Sequence, residues 1–142
     1  MATNPITRNF SMPIYWAETF KTKPAKVHLV GMNAYRNFHH FTQHKLKQDL
    51  EQHLTASLNV PLAIITSTYT VHYTLYYKNP ACDGSNIIAL AEKIFLDFAQ
   101  SAGITSNDNV KFHLGSSWSI GGCDKLNPRV DITIKEYNDP TN

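Results

Sequence analysis

The sequence predicts an α+β fold in a single domain, a mixed β-sheet of about four to five strands with two main α-helices packed on it. Three observations carry that expectation. Two stretches, "YTVHYTLYY" (69–77) and "RVDITIKEY" (129–137), alternate apolar and polar residues with the period of a strand. Between them, Ile87, Leu90, Ala91, Ile94, Phe95, Phe98 and Ala102 fall at spacings of three and four, the signature of an amphipathic helix. A chain of 142 residues that is 42% hydrophobic can bury one core without disulfides or a structural metal, and is not mainly disordered.

In chain order, the ends, 1–11 and 138–142, are expected to fray. Pro24 precedes "AKVHLVG", a short apolar run that reads as a strand closed by Gly31. The next segment, "NAYRNFHHFTQHKLKQDLEQHL", lacks Gly and Pro, and Phe38, Leu46, Leu50 and Leu54 recur at helical multiples, so a helix with a basic exposed side is expected over about 34–54. Residues 61–65 and 69–77 read as β structure. In the second, Val71, Tyr73, Leu75 and Tyr77 make one face, and Thr70, His72, Thr74 and Tyr76 make a polar face able to meet solvent or a ligand. The amphipathic helix follows over 87–102, ended by Gly103. Val110, Phe112 and Leu114 alternate, as do Val130, Ile132 and Ile134, giving two further strands whose connection is marked by Gly121, Gly122 and Pro128.

The net charge of +2 is unevenly divided, with 8 Lys/Arg against 3 Asp/Glu in residues 1–80 and 5 against 8 in residues 81–142. A basic surface for an acidic substrate beside an acidic metal-binding centre would produce that division, and so would chance in a small domain. Cys82 and Cys123 are too few for a disulfide framework or a Cys-based zinc site, and reduced thiols in a cytoplasm are expected. The chain shows no signal-peptide plan and no apolar run near the roughly 20 residues that span a bilayer, so no membrane partner is expected.

The stretch "KNPACDGSNIIALAEK" (78–93) joins the tyrosine-rich strand to the apolar helix. Asp83 precedes that helix and Asp108, in "TSNDNV", follows it. Each reads as a turn residue, or as a carboxylate brought to one edge of the sheet to help hold a hard divalent cation. On the helix, Asn86, Lys93 and Asp97 share one flank, and Lys93 with Asp97 alone reads first as a surface ion pair.

The order and spacing of "CDGSN", "EKIFLDF" and "AGITSNDNV" resemble the RusA family of Holliday junction resolvases, small nucleases common in bacteriophages and prophages. The resemblance covers roughly residues 69–110, and "GMNAYRN" resembles the family's Asn- and Tyr-containing segment after the first strand. By it, Asp83 matches the first Asp of an Asp-x-Asp-Asn motif and Asn86 its Asn. Lys93 and Asp97 match a Lys and an Asp on the following helix, Gly103 a glycine, and Asp108 the second member of an Asp-Asp pair. Three departures stand out. Ser85 replaces the second Asp, Asn107 replaces the first of the pair, and about four extra residues separate Asn86 from Lys93, one helical turn that leaves their flank unrotated. Glu92 is the candidate for the missing carboxylate, at nearly the azimuth of Ser85 but about 10 Å further along the axis.

The resemblance implies Mg²⁺-dependent cleavage, with Mn²⁺ as a substitute, of a phosphodiester in branched DNA, four-way junctions above all. The working unit it implies is a cytoplasmic homodimer, in a host cell if phage-encoded. Asp83 and Asp108, then Glu92, then Asp97 would hold the metal, which polarises the phosphate and lowers the pKa of an attacking water. Lys93 would neutralise charge developing on the phosphate, and Asn33, Arg36, His40, Lys45, Lys47 and Asn86 would contact DNA. Ser85 and Asn107 support the alternative of a non-catalytic junction-binding protein with a degenerate metal site. A nuclease preferring flaps or forks is a third reading.

Other chemistry is weaker. His39, His40, His44 and His53 cluster on the first helix, and His40 with His44 has zinc-compatible spacing, but no Glu follows His40 and a DNA-facing or solvated surface is preferred. Tyr69, Tyr73, Tyr76, Tyr77, Trp16 and Trp118 read as core ahead of a base-stacking platform. Cys82, with no assignable His partner, reads as a buried thiol. Ser85 or Asn86 is expected to cap the helix, leaving Asp83 to face the sheet edge.

Overall fold

In the computed structural model, which describes residues 5–58, 64–106 and 109–137, the alternating and helical stretches form the expected α+β domain. The elements are β1 (Thr7–Pro13), β2 (Tyr15–Glu18), β3 (Lys26–Leu29), α1 (Met32–Asn37), α2 (His40–Thr55), β4 (Tyr69–Tyr77), α3 (Gly84–Ser101), β5 (His113–Cys123) and β6 (Arg129–Glu136). Four strands make a mixed sheet in the order β1-β6-β4-β5, and β2 and β3 make a separate antiparallel ribbon. β6 pairs antiparallel with both β1 and β4, whereas β4 and β5 are parallel, so α3 is their crossover.

Burial follows the period-2 pattern of the strands. Phe10 and Met12 of β1, Val71, Tyr73 and Leu75 of β4, and Val130, Ile132 and Ile134 of β6 are buried with Leu46, Leu50 and Leu54 of α2 and the apolar stripe of α3. Phe10 meets Phe95 and Phe98 with ring centroids 5.3 and 6.0 Å apart, which ties β1 to α3. Tyr69 and Tyr73 are core residues, as expected, while Trp118 is 43% exposed. α3 ends in a Schellman motif, in which Gly103 takes φ +76, its N–H reaches Gln100 O and the Ile104 N–H reaches Ala99 O.

Several boundaries differ from expectation. Residues 7–11 do not fray; they belong to β1, where the buried set Phe10, Met12, Ile14 and Trp16 runs on into β2. The helix expected over 34–54 is two helices. Phe38 and His39 adopt extended ψ values of 145 and 148, Phe38 turns onto His28 and Trp16, and His39 caps α2 by accepting the Phe41 N–H at 3.2 Å. Of the expected strand over 61–65, residues 61–63 lie outside the described residues and Ile65 makes a single parallel bridge to Thr105. The strand expected around 110–114 instead starts at His113 and runs on through Gly121 and Gly122 to Cys123. Gly121 lies in the strand because the Tyr76 ring occupies the space that a side chain there would need. Cys82 is half-buried, Cys123 is exposed, and both are free thiols. Among the described residues, no helix is long and apolar enough to cross a membrane.

Candidate functional site

Strand β4 ends at Tyr77, and a short turn, in which Asn79 Oδ1 accepts the Ala81 N–H at 2.9 Å, delivers Asp83 to the start of α3. Asp83 itself is the cap, in place of the expected Ser85 or Asn86. Its Oδ1 accepts the Asn86 N–H at 3.3 Å and the Ser85 hydroxyl at 3.0 Å. The residue is exposed, and Oδ2 has no hydrogen-bond partner among the described residues. Asp83 can therefore cap the helix with one oxygen and offer the other to a cation.

Asn86 is turned the other way, where its Oδ1 accepts the Asn33 N–H at 2.8 Å and its amide lies against Gly31. A hydrogen bond across 53 residues thus joins "GMN" to "CDGSN" at one corner of the fold. The Trp118 ring covers the other side of the turn, close enough that a Cβ on Gly84 would lie 3.2 Å from it. Next to the turn, Tyr15, Lys78, Asn79, Pro80 and Lys125 line a cleft of about 470 Å³, with the Lys78 ammonium 5.7 Å from the Tyr15 ring centroid. Lys78 and Lys125 were not among the sequence-derived candidates. Lys125 follows β5, whose Cys123 pairs with Tyr77 and whose next residue, Asp124, bonds Tyr77 O, and that return shows only in the fold.

The remaining carboxylate candidates stand apart from Asp83. Glu92 is nine residues along α3, about 13 Å by helical rise, and Asp97 is fourteen along, about 21 Å. Asp97 Oδ2 takes the Lys47 ammonium at 3.1 Å and the Lys93 ammonium at 3.9 Å, so three candidate site residues form an ion-paired tie between α2 and α3. All three are about a third to a half exposed, and such ties contribute below about 1 kcal/mol. Glu92 is half-buried near the buried Tyr73 hydroxyl and Ser116. Burial first, and then the charge of Glu92, push the Tyr73 phenol well above its ordinary pKa. Asp108 lies outside the described residues. The chain up to Ser106 leaves from the end of α3 opposite Asp83, after an 18-residue helix about 27 Å long. Among the described residues, no three His, Cys, Asp or Glu side chains converge as a cation site, His40 and His44 included.

Of the expected DNA contacts, Arg36 and His40 are exposed. Lys45 donates to Thr19 O at 3.1 Å and to Thr19 Oγ1 at 3.0 Å, and Lys47 is engaged by Asp97. Asn33 is exposed, with its backbone held by Asn86.

No family model matches the chain, and no curated protein is significantly similar to it.

Proposed function

We propose that the protein is a cytoplasmic, Mg²⁺-dependent endonuclease that cuts branched DNA, with four-way junctions as substrate and a homodimer as the working unit. The observation that supports this reading is the junction of "GMN" and "CDGSN" through Asn33 and Asn86. The two stretches singled out by the resemblance to RusA-like resolvases meet in space, and they meet where Asp83 has an uncommitted carboxylate oxygen.

Mg²⁺ commonly takes only one or two carboxylates, completing its shell with waters and substrate phosphates, so an exposed Asp83 oxygen beside a basic cleft suits an ion that arrives with the DNA. When bound, the metal supplies Lewis-acid polarisation of the phosphate and a more acidic water. The protein's own part is to hold the backbone. Lys78 and Lys125 offer ammonium groups to flanking phosphates, Asn33 offers its amide side chain, and the capping bonds from Ser85 and Asn86 fix the rotamer of Asp83.

Asp83→Asn tests this, because it keeps a capping oxygen and removes the charge, whereas Asp83→Ala removes both at a stability cost of about 1 kcal/mol. Asp83→Asn is expected to melt like the parent, bind a synthetic junction like the parent, and cut it at least about 100-fold more slowly in Mg²⁺. Cleavage at the parental rate refutes the assignment. One observation favours a second reading, a junction-binding protein that does not cut: Glu92 and Asp97 stand too far along α3 to complete a site with Asp83. Junction binding by the parent with no cleavage in Mg²⁺ or Mn²⁺ selects that reading.

A further inference from the structure

We infer that the exposed rings of His39, His40 and Phe41 form a platform on which an unstacked nucleobase of a branched or single-stranded DNA stacks. The inference rests on the branched-DNA reading above but not on Asp83 or on any metal.

Two independent observations carry it. The first is geometric. Where α1 gives way to α2, Phe38 folds inward onto His28 and Trp16, with ring centroids 4.9 and 6.2 Å away, while the next three rings remain outside. Their centroids lie 4.1 Å apart for His39 and His40, 4.3 Å for His40 and Phe41, and 5.1 Å for His39 and Phe41. Phe41 is 73% exposed, so its ring contributes little to the core that α2 buries through Leu46, Leu50 and Leu54. The cluster is held in place: His39 Nδ1 accepts the Phe41 N–H, and Gln43 Nε2 donates to Tyr35 O at 2.6 Å across the bend. Preformed rings pay little entropy on binding.

The second is charge. Residues 19–48 contain Lys21, Lys23, Lys26, Arg36, Lys45 and Lys47 and no Asp or Glu. Lys45 grips Thr19 and so brings the connection between β2 and β3, with its exposed Lys21 and Lys23, alongside α2 one turn from Phe41. Exposed rings set beside the exposed Lys21, Lys23 and Arg36 and the Lys45 ammonium suit a partner that is both polyanionic and aromatic. Stacking on such rings accepts any base, and basic flanks follow the phosphates.

The test uses the full chain and a four-way junction carrying 2-aminopurine at an unpaired position in the branch. The parent is expected to quench the 2-aminopurine. Phe41→Ala is expected to abolish the quenching and to weaken junction binding about 5- to 100-fold, with the dependence of affinity on salt and the affinity for fully paired duplex unchanged, and Phe41→Trp to restore both. Because Phe41 is exposed, the variants should melt with the parent. If the parent binds junctions and Phe41→Ala matches it in affinity and quenching, the platform is refuted and the branched-DNA reading stands. A parent that binds no branched or single-stranded DNA at low salt overturns both. Loss of self-association by Phe41→Ala in sedimentation, with quenching unchanged, assigns the rings to a contact between copies and also overturns the inference.

Discussion

Gly31→Ala is a sharp perturbation of the corner that joins the two candidate stretches. Gly31 is buried, with φ −140 and ψ 171, an extended conformation open to any residue, so alanine meets no backbone strain there. What it meets is Asn86: the new methyl would stand 2.8 Å from Asn86 Cγ and 3.2 Å from Oδ1. Asn86 must swing away, which forfeits its 2.8 Å bond to the Asn33 N–H. Overpacking of this kind costs about 1–3 kcal/mol and the lost bond about 0.5–1.5 kcal/mol. A total near 2–3 kcal/mol corresponds to a fall in Tm of about 5–10 °C for a domain of this size. Asn86→Ala alone should cost about 1 kcal/mol, since it loses the bond without a clash. In the double variant the two methyl groups fit where the amide was, so its cost should stay close to that of Asn86→Ala, a coupling of about 2–3 kcal/mol. Urea denaturation of the four proteins measures each value. Costs that add to within about 0.5 kcal/mol would show that Gly31 is not there to admit Asn86.

Two pH-dependent effects follow from other contacts. Among the described residues the buried Tyr73 hydroxyl has no partner at good hydrogen-bond geometry, and its phenol is pushed up by burial and then by Glu92, against a weaker opposing pull from Ser116. The unfolded chain ionises this tyrosine near pH 10 while the folded chain does not, so its contribution is lost as pH rises above about 10. Tyr73→Phe should match or exceed parental stability by up to about 1 kcal/mol at pH 8 and unfold at a higher alkaline midpoint; a loss of stability at pH 8 would refute this. The Asp124 carboxyl is held below its ordinary value of 3.8, first by the Asn127 N–H and then by Arg129. Its contribution is present above about pH 4 and lost as pH falls through the lowered value. Arg129→Met should therefore melt with a smaller difference between pH 5 and pH 2.5 than the parent, and an equal difference would refute the link.

The strands and helices that carry the sheet were legible wherever one period held over a whole element, as in β4, α3 and β6. β1 and β2 carry the same signal in Phe10, Met12, Ile14 and Trp16, but Pro13 interrupts it. Proline is tolerated there because β1 is an edge strand, a fact that only the pairing order reveals. The bend after Phe38 has no Gly or Pro to announce it; ring packing in the core decides it. At the candidate site, the position of Asp83 at a strand-to-helix turn was legible, but its use as a cap was not, because Asp83, Ser85 and Asn86 are all competent caps. Glu92 shares the azimuth of Ser85 but lies seven residues further along α3, so axial rise separates what azimuth aligns, and that distance was legible in the sequence. Asn33, Gly31 and Lys125 reach this end of the molecule through pairings that no local pattern encodes.

The place of β6 in the sheet also sets the order in which the fold can be finished. It is the last of the described strands, yet it lies between β1 and β4 and supplies the edge on which each of them pairs. Thr133 donates to Asn9 across 124 residues, a contact that cannot form until every element between them has been made. Before then β1 has no strand partner, and its ring contacts with α3 must help hold it to the core. Closure by so distant a strand is slow, so β1 and one edge of β4 stay unpaired until β6 arrives, and a chain stopped before Arg129 would keep them unpaired.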